Sequence, residues 1–506
     1  MIAPPTTLLL DDLAAGATEP AALFARLLQL RDDVSSEADE QLRRWQPEIG
    51  RASFQPSAAN LAAYLALRRH DLRSLQLALM PLGLSSLGRC ESRVIESLDA
   101  VLAALGAIVG APPLAQPQLT ADEFFSGTRL LEQRTEEIFG PTPANRQVRI
   151  MVTLDEALGS DRRAVDALVR AGLDVARINA AHGDPAGWLS IATNVRAAAD
   201  AAGRPCQVAF DLTGPRARTG RTAERAGRLT VGDSFALVLD ASKASGAEPF
   251  AECSMPELLA ALEPGMRVWI DEGRASAVVV GSGLAETRLK ITTAPPKGFR
   301  LRAGKALNVP ELDLHFDPLT AKDLESLDVA VGFADIIGYS FVQRPSDIER
   351  LQRELSRRGR AELPLIAKIE TRAAVEHLPE LIVRAAGSQP LAVMIARGDL
   401  AVECGYERLA EVQEEILWLC QAAHVPVIWA TQVLDQLAKT GRPSRAEITD
   451  AAMGVQAECV MLNKGPRIIE AISVLDDILR RMEQHHRKKR SLLPQLRASD
   501  YVHTDR

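Results

Sequence analysis

Two short runs carry side chains able to hold and move charge. Lys368-Ile369-Glu370 closes the apolar run Leu365–Glu370, and Arg397-Gly398-Asp399 follows the apolar run Leu391–Ala396. Alternate side chains of a strand share a face, so Lys368 and Glu370 point one way and Ile369 the other. With the two runs as neighbouring strands, Asp399 comes to lie beside Glu370. Two carboxylates on adjacent strand ends suit a hard divalent cation that keeps open positions for substrate oxygens. Lys368 adds a fixed ammonium.

The pattern recurs along the chain. Val175–Ala180 presents Arg177 and Asn179, two apart, and His182-Gly183 follows. Gln207–Leu212 holds Asp211, then come Thr213-Gly214-Pro215-Arg216 and Arg218, while Pro426–Ala430 leads into Thr431-Gln432. Helix starts expected after Asp399 and Thr431 offer free backbone N–H groups as a seat for a carboxylate. A divalent cation, an ammonium, a guanidinium and anion-binding amides are what phosphoryl transfer needs, because positioning and charge neutralisation do most of that catalysis. Plainer readings stand beside these. Glu370 and Asp399 could be structural partners of Lys368 and Arg397, and Arg177 a buried counter-ion. His182 could simply be hydrogen-bonded, and Lys297, in Pro295-Pro296-Lys297-Gly298, a solvated turn lysine.

The elements that must position these groups alternate between β and α patterns. Eight β-rich runs are Val148–Leu154, Val175–Ala180, Gln207–Leu212, Ala334–Phe341, Leu365–Glu370, Leu391–Ala396, Pro426–Ala430 and Cys459–Leu462. Helical patterns such as Arg162–Ala171 and Glu407–Ala423 separate most of them. Strongly apolar strands alternating with helices predict a parallel sheet covered by helices, and eight such units favour an α/β fold closed as a (β/α)8 TIM barrel. No G-x-G-x-x-G follows a strand, which counts against a dinucleotide fold. Residues 217–298 break the alternation with short strands, including Arg267–Ile270 and Thr287–Ile291, and predict a small β lid domain inserted after the third strand. Before residue 146 the pattern is helical, at Ala21–Trp45, Ala58–Met80 and Ala121–Phe139, with an apolar stripe from Val94 to Ile108. That stripe suits either a core or a contact within a homo-oligomer. The expected domains are a helical extension over 1–145, a barrel over 146–216 and 299–483, the lid over 217–298, and a basic polar tail over 484–506.

Composition narrows the partners. The 506 residues are 47% hydrophobic and 25% charged, with a formal charge of −7. Nucleic acid and anionic membrane surfaces are therefore not attracted globally. The six cysteines form no CxxC pair, so the plain expectation is a reduced cytoplasmic protein without structural zinc. No secretory signal opens the sequence and no run is long enough to span a bilayer.

Several motifs stand in an order that resembles the pyruvate kinase family. They are Val175-Ala-Arg-Ile-Asn-Ala-Ala-His-Gly183, Asp211-Leu-Thr-Gly-Pro-Arg-Ala-Arg-Thr-Gly220, Asp271-Glu272-Gly273, Lys297-Gly298 and Ser340-Phe341. Lys368-Ile-Glu370, Ala396-Arg-Gly-Asp-Leu400, Ala430-Thr-Gln432 and Arg442-Pro-Ser-Arg-Ala-Glu447 complete the series. The resemblance implies Glu370 and Asp399 as ligands of Mg²⁺ or Mn²⁺. It implies Lys368 as the group neutralising the transferring phosphoryl and the enolate oxygen, Arg177 as the phosphoryl-binding arginine, and Thr431 with the Gly398–Asp399 backbone as the carboxylate seat. Arg218, His182 and Lys297 match nucleotide-side positions, and Asn179 and Asp211 match a monovalent cation site. The implied reaction is phosphoenolpyruvate and ADP to pyruvate and ATP.

Departures from the family pattern are specific. Ala181 replaces a serine ligand of the monovalent cation, and Arg216 stands where a glutamate is usual. A guanidinium there supplies positive charge, so independence from K⁺ is expected. Asp155-Glu156 replaces a Gly-Pro loop with an adenine contact, and Asn463–Arg467 replaces a Ser-Gly-Glu-Thr-Ala loop that bears on proton delivery. The family's C-terminal regulatory domain has no counterpart in the resemblance. Two alternatives remain: a metal-dependent enolate lyase or decarboxylase of 2-oxo acids on the same barrel, and a catalytically weak scaffold.

Overall fold

Eight parallel strands close on themselves in the order first, eighth, seventh, sixth, fifth, fourth, third, second. They are Arg149–Thr153, Val175–Asn179, Gln207–Asp211, Ile336–Tyr339, Leu365–Ile369, Leu391–Ala396, Val427–Ala430 and Cys459–Leu462. This is the computed structural model of the chain, which describes residues 19–85, 87–112, 119–223, 227–244, 249–283, 285–312, 316–488 and 490–491. The strands are apolar throughout because helices cover one face and the barrel interior takes the other; Leu391–Ala396 is buried at every position.

The inward face sets up the site. Met151, Val175, Ala209, Ile336, Ile366 and Met394 pack with their neighbours in one interior cluster. Two and four residues further along the same inward faces stand Arg177 and Asn179, Asp211, and Lys368 and Glu370. One alternation thus gives an apolar floor and a charged mouth. Ile138 and Phe139, ending the helix Ser126–Phe139, join the floor cluster and close the barrel from below.

A seven-stranded sheet with its own core lies between the third and fourth barrel strands. Its order is Leu307–Asn308, Arg267–Ile270, Ala275–Gly281, Glu286–Thr293, Ser234–Val238, Phe250–Cys253, Thr219–Thr222. The sheet runs past the expected bound at Gly298. Leu307–Asn308 pairs with Trp269–Ile270 as an edge strand, and Phe299–Arg300 pairs with Arg228–Leu229. The segment after 298 therefore belongs to the inserted sheet, because backbone pairing takes it there.

The N-terminal helices are Pro20–Trp45, Gln55–Arg68, Arg73–Leu79, Val94–Val109, Ala121–Phe124 and Ser126–Phe139. The expected single helix over Ala58–Met80 is two, since the Asp71 carboxylate accepts from the Arg73 backbone N–H and starts the second. In the apolar stripe Val94, Leu98, Val101, Leu102 and Leu105 are buried, while Ile108 is half exposed. These helices dock on the barrel's outer helix Leu409–Ala422. The buried His424 imidazole donates its Nε2–H to the Ser92 carbonyl at 3.0 Å, which leaves Nδ1 to accept from the Ser57 hydroxyl at 2.8 Å. Asn60 donates to the carbonyls of Ala422 and Glu91, and Arg134 to those of Ala423 and His424. At the other end, the helix Ile468–His485 runs two residues past the expected bound, and a short hairpin pairs His486–Arg487 with Arg490–Ser491. Residues 492–506 of the expected tail lie outside the described residues.

Candidate active site

Pairing of the fifth strand with the sixth puts Lys368 opposite Met394 and Ile369 opposite Ile395. Glu370 follows the fifth strand directly, while Asp399 sits in the first turn of the helix Arg397–Cys404, which starts before it rather than after it, so both come to the same rim. Both are buried, at 4% and 7% exposure. The Glu370 carboxylate accepts from the Phe341 N–H at 2.7 Å and lies 3.2 Å from the Lys368 ammonium. Burial pushes Glu370 above the usual carboxylate range; Lys368 opposes that rise and Asp399 adds to it. Asp399 is raised too, by burial, with the Arg216 guanidinium opposing and Glu272 adding.

Arg216 meets Asp399 at 2.6 Å and Glu272 of the inserted domain at 3.5 Å. The Asp399–Arg397 pair of the plainer reading does not form. Arg397 instead pairs with Asp450, donates to the carbonyls of Ala430 and Thr431, and lies over the Trp429 ring at 4.6 Å. The motif from Arg442 to Glu447 explains that brace. Ser444 and Glu447 form a reciprocal capping box that starts the helix Arg445–Met453, and that helix carries Asp450.

On the opposite side, Arg177 grips Asp211 at 2.7 Å and donates to the Thr153 hydroxyl at 2.8 Å. Lys368 donates to the Ser340 hydroxyl at 2.7 Å and stands 3.7 Å from Asp211. Burial alone would raise Asp211, but Arg177 and then Lys368 outweigh it and hold the carboxyl below its ordinary range. Arg216, expected to replace a monovalent cation, thus faces Asp399, while Arg177 and Lys368 supply the positive charge at Asp211. The Asn179 side-chain oxygen accepts from the Ala181 N–H at 3.0 Å. The third-strand loop is held by Asp323, buried, which accepts from the Thr213 and Gly214 N–H groups.

The anticipated amide seat at Gly398 and Thr431 differs in detail. Gly398 N–H donates to the Thr431 hydroxyl at 3.1 Å, so that amide has a partner in the protein. No helix follows Thr431 directly; Asp435–Thr440 is the next one, after Thr431, Gln432 and Leu434 with φ of 64°, 58° and 47°. Left-handed backbone at such residues costs about 1–2 kcal/mol each.

The nucleotide-side residues are spread out. Arg218 comes near the mouth: burial lowers its pKa, with Arg216 lowering it further and Asp399 and Glu272 opposing. His182 is exposed, and its carbonyl accepts from the Trp188 indole at 2.7 Å. Lys297 is exposed in a turn of the inserted domain; among the described residues no hydrogen bond or ion pair joins its ammonium to the barrel. Lys464 pairs with Asp155 at 3.0 Å, tying the first- and eighth-strand loops.

Among the described residues, no three His, Cys, Asp or Glu side chains form a metal cage. Glu370 and Asp399 fit the sparser arrangement in which one or two carboxylates hold Mg²⁺ and water and substrate oxygens complete the shell. Sequence reasoning missed the Arg216–Asp399 contact, the Arg397–Asp450 brace and the approach of Glu272. Glu272 lay in a quoted motif, but no pattern in the sequence aims a residue of the inserted domain at the sixth strand.

Comparison with known proteins places the barrel. The family model described as pyruvate kinase, barrel domain, matches residues 145–466. A protein of Mycobacterium intracellulare called pyruvate kinase is 35% identical over 322 residues, 63% of this chain and 66% of its own. Pyruvate kinases of Methylorubrum extorquens and Geobacillus stearothermophilus are 33% and 31% identical over 349 and 348 residues. Those matches cover 67% of this chain in each case and 69% and 57% of the relatives. The chain therefore spans about two thirds of the length of the first relatives it matches, by way of the barrel and its insertion. On a barrel match that covers more than half of its residues, the chain belongs to the pyruvate kinase family.

Proposed function

We propose that the chain moves the phosphoryl group of phosphoenolpyruvate to a nucleoside diphosphate such as ADP, giving pyruvate and the triphosphate. Glu370 and Asp399 would hold Mg²⁺ or Mn²⁺. The observation that carries this reading is that two buried carboxylates, the Lys368 ammonium and the Arg177 guanidinium all gather at one barrel rim. When bound, the cation supplies charge neutralisation for substrate oxygens. Lys368, held by Ser340 and Glu370, faces the same side and neutralises negative charge left on the bridging oxygen as the phosphoryl departs. Arg177 is aligned by Asp211 and Thr153, which leaves its charge to orient the phosphoryl group. The Thr431 hydroxyl orders the Gly398 turn against which a substrate carboxylate would rest. The inserted sheet excludes water from transfer.

Since Arg177 and Lys368 already balance Asp211, turnover is expected without K⁺. Replacing Glu370→Gln tests the assignment directly. Turnover in a coupled pyruvate assay should vanish and Mn²⁺ binding should weaken by roughly a hundredfold or more, beyond the effect of losing an outer-shell partner. Wild-type turnover in that variant would refute it.

A second reading rests on the Asp155–Lys464 pair, which ties the loop expected at the adenine to the loop expected to bear on proton delivery. It supports enolate lyase or decarboxylase chemistry that uses the same cation and lysine without a nucleotide. Titration with ADP and GDP separates the two.

A further inference from the structure

Asp399 already holds a cationic partner built into the chain. The Arg216 Nη2 lies 2.6 Å from its Oδ1, and the same nitrogen is 3.5 Å from Oε1 of Glu272. A guanidinium so placed opposes a divalent cation on the same carboxylate, by occupying one oxygen's hydrogen-bonding capacity and by repulsion across a few ångströms of buried space.

The bridge to Glu272 is held in place from both ends. Asp271, Glu272 and Gly273 have φ of 59°, 56° and 80°, a turn whose backbone strain aims Glu272 toward the barrel. The Tyr406 hydroxyl, from the barrel side, donates to the Glu272 carbonyl at 3.2 Å, and its ring meets Trp269 edge-on at 6.5 Å. Asn308, on the sheet's edge strand, donates to Asp399 and Glu403, each at 3.4 Å.

We propose that Arg216 sets the divalent-cation affinity of this site: it is a competitor for Asp399 that also straps the inserted domain to the barrel through Glu272. This rests on the reading of Glu370 and Asp399 as cation ligands. Cation binding then displaces the guanidinium from Asp399 and loosens the strap, so that ion occupancy and the position of the inserted sheet are linked.

The test measures binding, not turnover. Free Mn²⁺ is followed by electron paramagnetic resonance while it is titrated into the full chain and into Arg216→Gln, Arg216→Met, Arg216→Lys and Glu370→Gln. The Gln and Met variants should bind Mn²⁺ about tenfold to a hundredfold more tightly, the range spanned by losing a hydrogen bond to a charged group. Arg216→Lys, which keeps the charge, should stay close to wild type. Hydrogen exchange over residues 267–281 should quicken on adding Mg²⁺ to wild type, and should already be quick in Arg216→Gln. Equal Mn²⁺ affinity in wild type and both neutral variants, with Glu370→Gln still weakened, overturns the role of Arg216 and leaves the cation site standing. A Lys variant that tightens binding as much as Gln overturns the charge argument. Failure of every form, wild type included, to bind Mn²⁺ overturns the cation site and this inference together.

Discussion

Replacing Asp211→Asn should damage the barrel mouth more than any other single change of equal size. The carboxylate is 1% exposed and serves two buried cations, Arg177 at 2.7 Å and Lys368 at 3.7 Å. Removing one partner of a buried ion pair costs about 3–5 kcal/mol, because the other charge stays buried without compensation. Here the lower end applies: Arg177 keeps Thr153, and Lys368 keeps Ser340 and Glu370. About 3 kcal/mol corresponds to a fall in Tm of roughly 6–12 °C, at 2–4 °C per kcal/mol for a domain near the barrel's size. The pH dependence has a definite sign. Asp211 is held below its unfolded value, so its contribution is complete above about pH 4 and is lost as pH falls through the lower folded value. Scanning calorimetry of both forms should give a constant difference from pH 5 to 8 that shrinks in stronger acid. A Tm within 2 °C of wild type across that range, with unchanged phosphoenolpyruvate affinity, would refute the account of this triad.

Other expectations follow from single contacts. Gly127→Ala would put a methyl 2.0 Å from the Ser92 carbonyl and 2.4 Å from His424 Nε2, so limited proteolysis should release the N-terminal helices from that variant first. Asp450→Asn unpairs Arg397 and should raise KM for the carboxylate-bearing substrate severalfold with the cation affinity unchanged, measured by steady-state kinetics and Mn²⁺ titration. Turnover should stay within about twofold when K⁺ replaces a bulky organic cation at constant ionic strength; a severalfold rise would sink the idea that Arg177 and Lys368 suffice at Asp211. Glu370→Gln should raise the Tm by a few degrees in chelator at pH 8, since burial lifts Glu370 above its unfolded value and the ionised form there opposes folding. The difference should fade toward pH 5, and saturating Mg²⁺ should stabilise wild type alone, by about 2.7 kcal/mol at a hundred times Kd.

Much of the barrel was legible because its strands obey a short-range rule. Apolar runs of four to six residues, separated by helical periodicity, define the parallel order, and alternation within each run says which side chains reach the mouth. Lys368, Glu370, Arg177 and Asp211 were found that way and do meet. What the sequence hid depends on contacts between distant elements. Arg397 looks like a partner for Asp399, two residues away, yet Asp450 on the helix Arg445–Met453 takes it. Arg216 looks like a substitute for a monovalent ion beside Asp211, yet loop geometry turns it to Asp399. The edge of the inserted sheet was misplaced because Leu307–Asn308 is only two residues long, too short to show a period.

The positions where local rules break are concentrated around the mouth. Asp271, Glu272, Phe341, Thr431, Gln432 and Leu434 all have positive φ, and two carboxylates there are forced above their ordinary pKa. These features cost free energy, and three of the positive-φ residues set the direction of a group the proposed chemistry uses: Phe341 N–H on Glu370, Thr431 hydroxyl on Gly398, Glu272 on Arg216. The offset must come from elsewhere in the barrel, and the interior supplies it. The floor cluster is apolar and buried, and its lowest part is filled by Ile138 and Phe139 from the N-terminal helices rather than by the barrel strands. Removing those two side chains would open a cavity under Met151, Val175 and Ile366, one pleat below the charged groups. The helical region therefore bears on the site through packing, as the floor on which strained loops and mutually repelling carboxylates are held in register.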